Sequence, residues 1–187
     1  FNKATKGIYE LGSTLKLITA AVAFESEYVK ENDVFDVSTP LKVSSRTIRD
    51  FHPLNYRLNI PEVIVHSSNI GSAKIAKKFG TSTQLKYLKS LGLMDKLNLE
   101  IPELGKPQVL KDGKLLTTMT ISYGHGIAIT PMHLASSKRG RVEWTALVGR
   151  HFWAISTISL KGSMKMVNQS TQMTMVMTGG QFCSLAK

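Results

Sequence analysis

The chain has 187 residues, a hydrophobic share of 42% and a mean hydropathy of −0.04, which gives enough length for one domain with a real core, or by length alone for two small ones. It holds no run of about eighteen apolar residues that could span a membrane, and its one cysteine, Cys183, excludes an internal disulfide and a cysteine-built zinc cluster without choosing between cytoplasm and periplasm. The net charge of +11 is spread rather than clustered, and residues 138–187 hold seven of the 24 Lys/Arg but one of the 13 acids, so a solvated basic surface or an anionic envelope partner is expected and nucleic acid is not.

The polar opening FNKATKG reads as loop, with neither a start methionine nor a basic-then-apolar leader, so the chain is expected to begin inside a larger protein. From Glu10 the spacing predicts a turn at Gly12 and Ser13 and then a strongly buried helix, with Leu17, Ala20, Ala21 and Phe24 as its apolar residues. Residues 33–60 mix β-formers with Pro40, Pro53 and Asn/Asp turns and read as short strands and loops. Pro61 then opens a short helix, PEVIVH, that stops at Ser67-Ser68-Asn69. A second helix is predicted from about Ile70, with Ala73, Ala76 and Phe79 in step and Gly80 closing it, and a third from about Ser82 to Leu91, ended by Gly92.

The stretch 95–118, with Pro102, Pro107 and Lys-Asp-Gly-Lys at 111–114, suits a surface loop or hairpin. TMTISYGHGIAITPMHLA then reads as an apolar segment, a glycine-flanked turn, and a helix with Thr130 as N-cap and Pro131 at its first position. After Ala135 the text changes. It carries both tryptophans, the basic run SSKRGR and five of the eight methionines between Met164 and Met177, with no repeat to explain them and no element that can be assigned.

Ser13 and Lys16 stand three apart, so on a helix they share one face about a turn apart and the amine can reach the hydroxyl. A serine needs a base to become a nucleophile. Lysine serves only when its pKa falls, and here the apolar neighbours Leu15, Leu17 and Ile18 together with the positive helix N-terminus push it down. Alone, S-x-x-K is commonly a helix cap beside a solvated lysine. Here a glycine precedes it, a buried helix follows, and Ser67-Ser68-Asn69 stands downstream at a helix junction. There a second serine can shuttle a proton, and an asparagine amide can anchor the lysine and bind a substrate amide. The bland reading of that second segment is a cap for the next helix. His125, between Gly124 and Gly126, reads as backbone geometry beside a cleft rather than catalysis. The five histidines have no H-E-x-x-H or similar spacing, so neither a metal nor any other cofactor is expected.

In order along the chain, GIYELGSTLKLITAAVA resembles the first motif of class B penicillin-binding proteins, PEVIVHSSNIGSAKIAKKFG resembles their S-x-N segment, and SYGHGIAITPMHLA resembles the glycine-rich turn and Thr-Pro helix that follow. With TIRDFH at 47–52, the resemblance is to the division-specific FtsI branch, and it covers residues 1–135. It implies an α/β (α+β) fold of the penicillin-binding transpeptidase and serine β-lactamase type, an antiparallel sheet flanked by helices, here incomplete. It implies a peptidoglycan D,D-transpeptidase in which Ser13 is acylated by a stem peptide or a β-lactam and Lys16 is the base. Ser67 would then be the proton shuttle, Asn69 the amide contact and the Ser13 N–H half of an oxyanion hole. Division-machinery partners and an inner-membrane anchor with the catalytic domain on the periplasmic face are implied for the full-length protein; this chain carries no anchor.

The family closes its site with a Lys-Ser/Thr-Gly triplet on a strand, and residues 136–187 contain none. Lys161-Gly162-Ser163 is out of order, and Met177-Thr178-Gly179 has methionine where the cation belongs. By the family's spacing the triplet falls near or beyond Lys187, so truncation alone accounts for its absence. The change of text after Ala135 leads to an expected division into 1–135, the N-terminal part of a transpeptidase domain, and 136–187, a segment without family resemblance, for which a frameshift or fusion is the hypothesis. Two other functions are open: a β-lactam-binding sensor that acylates at Ser13 without releasing product, and a basic interaction protein that binds anionic polymer through its last fifty residues. Translating the gene's other two frames from codon 136 tests the frameshift, and finding no family-like sequence there counts against it.

Overall fold

The structure, a computed structural model, describes residues 1–30, 32–100 and 103–137 and the backbone of an antiparallel strand pair, Thr174–Val176 with Phe182–Ser184. Its organising element is helix α1, Leu15–Glu25, which follows a single 3-10 turn at Gly12–Thr14. Leu15, Ile18, Ala21, Val22 and Ala23 are all buried, so the helix is apolar nearly all round and must be enclosed. Leu17 and Phe24, expected in the core, are half-buried, and Leu15 and Val22 take the deepest places. The alanines at 20, 21 and 23 keep α1 slim where helices α3, Asn69–Ser90, and α4, Leu115–Ser122, pack against it.

Short strands follow, as the composition of 33–60 predicts: β2, Phe35–Asp36; β3, Leu41–Val43; β4, Arg46–Ile48; and β5, Arg57–Leu58. They are paired antiparallel as β2 with β5 and β3 with β4. Helix α2, Ile60–Val65, starts at a reciprocal cap: the Glu62 N–H donates to Asn59 Oδ1 and the Asn59 N–H to Glu62 Oε2, each at 2.9 Å. Helix α3, Asn69–Ser90, is broken at Gly80, whose φ of 75° and ψ of 176° interrupt the helical path where the sequence places a stop. Its end is a Schellman turn in which the Leu93 N–H reaches Leu88 O and the Gly92 N–H reaches Lys89 O.

Helix α4, Leu115–Ser122, begins inside the stretch expected to be loop. The Lys111–Lys114 turn leads from strand β6, Gln108–Val109, into this helix, not into a hairpin partner, because Met119 and Ile121 have a core to enter against α1 and α3. The partner of β6 is β7, Ile127–Ile129, which also pairs with β1, Tyr9–Glu10, to give an antiparallel sheet in the order β1-β7-β6. Helix α1 thus leaves from the edge of a sheet whose central strand lies more than a hundred residues downstream.

Helix α5, Pro131–Ala135, carries the expected cap: Thr130 Oγ1 accepts from the His133 N–H at 3.2 Å. His133 itself is fully buried, with Nδ1 2.7 Å from Thr130 Oγ1 and Nε2 3.2 Å from Asp95 O, a pattern that fits a neutral ring donating from Nε2. Burial holds its pKa below the ordinary 6.5, the Asp95 carbonyl opposing. The unfolded chain therefore takes up this proton at a higher pH than the folded one, so stability falls as pH drops below 6.5 toward the folded value. His133→Gln is expected to flatten that part of the stability-against-pH curve, measured by urea unfolding at several pH values; a curve of unchanged slope would exclude His133 as its source.

Candidate active site

Ser13 lies in the 3-10 turn and Lys16 in the first turn of α1, so the local helix geometry delivers the amine to the hydroxyl, with Nζ 3.3 Å from Ser13 Oγ. Ser67 arrives from the α2–α3 junction. Its backbone is left-handed, at a φ of 51°, an unusual conformation for a residue with a side chain and one that turns both its carbonyl and its hydroxyl toward Lys16. Lys16 Nζ donates to Ser67 O and lies 2.8 Å from Ser67 Oγ, and the Ser67 hydroxyl donates to Ser13 Oγ at 3.1 Å. Ser13 Oγ, Lys16 Nζ and Ser67 Oγ thus form a closed triangle.

Lys16 is 2% exposed. Burial lowers its pKa from 10.5 to about 8, against the opposing pull of the Asp50 carboxylate. At pH 7 about a tenth of such lysines are neutral, compared with about three in ten thousand of ordinary ones. A neutral amine offers two N–H bonds and one lone pair. With the N–H bonds directed at Ser67 O and Ser67 Oγ, the lone pair is left to take the Ser13 proton. Of the two causes expected to depress this lysine, burial is the one the structure displays.

Asn69 does not join the triangle. Its side-chain N–H donates to Arg49 O at 3.0 Å, tying the start of α3 to the end of β4, and Lys16 is anchored by Ser67 instead. Ser68, buried between them, caps α3 by accepting from the Gly71 N–H at 2.9 Å. The helix cap and the serine that meets Lys16 are therefore neighbouring residues with separate hydrogen bonds. His125, read from sequence as a bystander, pairs with Glu10 at 2.8 Å and lies outside the triangle. Among the described residues no group of three or more His, Cys, Asp or Glu could hold a metal ion. A cavity of about 540 Å³ lies along β6 and β7, and none of Ser13, Lys16, Ser67 or Asn69 lines it. Lys161–Ser163 and Met177–Gly179 fall outside the described residues.

Asp50 is the residue that motif reading missed. One carboxylate oxygen accepts from the Asn69 and Ile70 N–H groups at 2.5 and 2.9 Å, and the other accepts from Ser68 Oγ at 2.7 Å. It caps a helix that begins 19 residues later, beyond the reach of any local capping pattern, while its charge acts on Lys16. Asp50→Ala is expected to lower stability by about 2 kcal/mol through the orphaned N–H groups. The same change should move the Lys16 pKa further down, because the opposing charge is gone. Denaturant unfolding reads the first effect and a lysine titration by NMR the second; a raised Lys16 pKa would overturn the electrostatic assignment.

The family model for the penicillin-binding protein transpeptidase domain matches residues 1–138. A probable peptidoglycan D,D-transpeptidase FtsI of Caulobacter vibrioides is 35% identical over 136 residues, which are 73% of this chain and 23% of that protein. The FtsI of Escherichia coli K12 is 28% identical over 138 residues, 72% of this chain and 23% of that protein. The chain thus spans about a quarter of the curated relatives it matches. Among solved structures, a peptidoglycan glycosyltransferase from Burkholderia ambifaria superposes with a TM-score of 0.68 at 24% identity, covering 72% of this chain and 43% of that one. The apo transpeptidase domain of penicillin-binding protein 3 from Burkholderia pseudomallei gives 0.68 at 23%, covering 72% and 41%. The antiparallel pairing and enclosed helix expected from sequence are those of this fold, and the chain belongs to the penicillin-binding protein transpeptidase family, as an FtsI-like member.

Proposed function

We propose that residues 1–135 are the nucleophile-bearing part of a septal peptidoglycan D,D-transpeptidase. The observation that carries this is the triangle of Ser13, Lys16 and Ser67 around an amine with a pKa of about 8. Ser13 Oγ attacks the carbonyl carbon of the penultimate residue of a stem peptide while its proton passes to Lys16. Collapse of the tetrahedral adduct breaks the amide bond, and the proton returns through Ser67 to the departing nitrogen of the terminal D-alanine. The amine of a second stem peptide then takes the acyl group and frees Ser13. The Ser13 N–H supplies half the oxyanion hole, and Asn69 contacts the substrate amide. A β-lactam enters by the same attack and leaves a stable ester.

Residues 136–187 contain no Lys-Ser/Thr-Gly triplet, the element that in the family supplies the second oxyanion donor and the cation for the substrate carboxylate. The division of the chain near residue 135, with a frameshift or fusion beyond it, belongs to the same proposal and is supported by the family match over 1–138. Division-protein partners and a periplasmic setting at the inner membrane are proposed for the full-length protein; no helix among the described residues is long and apolar enough to cross a membrane.

Incubation with a fluorescent penicillin tests the mechanism. A stable adduct is expected on Ser13, abolished by Ser13→Ala and slowed by on the order of 100-fold or more by Lys16→Ala. The acylation rate should climb with pH, with a midpoint at about 8, because the reactive form of Lys16 is the deprotonated one. Label that survives Ser13→Ala would refute the assignment, and rapid product release would mark a β-lactamase instead.

A further inference from the structure

The turn that presents Ser13 is fastened locally by backbone alone, the Thr14 N–H reaching Leu11 O at 3.3 Å. Neither Leu11, which precedes the 3-10 turn, nor Thr14, which precedes α1, makes a side-chain capping bond, and Gly12 is left-handed at a φ of 53°. A helix start with no side-chain cap and a glycine in it frays unless something distant holds it. Something distant does. The Gly12 N–H donates to Gly124 O at 3.3 Å, and the two backbones are so close that a Cβ on Gly124 would fall 1.9 Å from Gly12 O. Two residues before Gly12, the Glu10 carboxylate grips the same loop: Oε1 accepts from the Gly126 N–H at 2.9 Å, and Oε2 lies 2.8 Å from His125 Nδ1. The His125 ring is held in turn edge-on to Tyr123, with centroids 5.5 Å apart.

We propose that Glu10 is a positioning residue for the nucleophile, holding the 124–126 loop against Gly12 so that Ser13 projects toward Lys16 and Ser67. The proposal rests on the acyl-enzyme reading above and deepens it. Glu10 touches no reacting atom and acts through the backbone of the turn. Its contacts with His125 and Gly126 also hold its carboxyl below the ordinary carboxylate range, so it is ionised and accepts through both oxygens near neutral pH. The pair is half exposed, and such pairs add little to global stability. A small shift of a nucleophile, by contrast, costs much rate. A positioning role therefore separates rate from stability, where a merely structural one would not.

The test compares wild type, Glu10→Ala and Glu10→Gln. Amide hydrogen exchange is read at Gly126 and Gly12, and the kinetics of labelling by a fluorescent penicillin are resolved into initial affinity and acylation rate. Glu10→Ala is expected to speed exchange at both amides about tenfold and to slow acylation on the order of tenfold with affinity unchanged. The melting temperature should shift by about 3 °C at most. Glu10→Gln, whose amide accepts from Gly126 and donates to His125, should restore both exchange and rate. Faster exchange at Gly126 with none at Gly12, or an acylation rate indifferent to Glu10→Ala, overturns the proposal. A wild-type chain that takes no label refutes the acyl-enzyme reading alone, and the Gly12 exchange rate then decides whether Glu10 holds the nucleophile turn.

Discussion

A charged lysine deep in a protein is costly, and the chain meets that cost by letting the amine shed its proton and giving the neutral form two oxygens of one residue to hold. Every other part of the site follows from that arrangement. Lys16 is buried because α1 is enclosed by α3 and α4, and it is held because Ser67 adopts a left-handed backbone at the junction of two helices. That conformation persists only while both flanking helices are fixed. The reciprocal cap between Asn59 and Glu62 fixes one of them, and Ser68 with Asp50 fixes the other.

The polar contacts sort by depth. Thr19 Oγ1 donates to Ser122 O at 2.8 Å, and Gln84 Nε2 donates to Thr118 O at 3.1 Å, both in buried surroundings where an unmade bond costs more than a made one contributes. They set the spacing of α1, α3 and α4 before any catalytic group is considered. The groups that face the cleft, Ser13 and Ser67, are exposed and rely on that frame. Lys16 connects the two regimes, with its root in the core and its nitrogen at the lip.

What was legible in the sequence was what acts over short range. Ser13 and Lys16 meet because helical geometry brings together residues three apart, and Gly80, Gly92 and Thr130 mark helix ends by their own backbone preferences or side chains. What was illegible acts across the chain. Asp50 caps a helix whose start lies beyond two intervening elements, and Asn69 gives one amide N–H to Arg49 O because β4 ends there. The start of α4 was misplaced because a Lys-Asp-Gly-Lys turn can feed a strand or a helix equally well, and the core on offer chose the helix. Periodicity put Leu17 and Phe24 inside, but in a helix enclosed on nearly every side no stripe exists to find.

The seating of Gly12 on Gly124, and of β1 on β7, bears on the order in which such a chain matures. Both contacts join the beginning of the chain to a region made more than a hundred residues later, so while a ribosome is still adding the intervening helices the serine has a neighbouring lysine but no floor beneath it. Closing so large a loop is slow, and the final event of assembly is the arrival of a glycine loop at the first turn. A nascent chain interrupted short of that loop would carry Ser13, Lys16 and Ser67 and still lack the surface on which the first of them is seated.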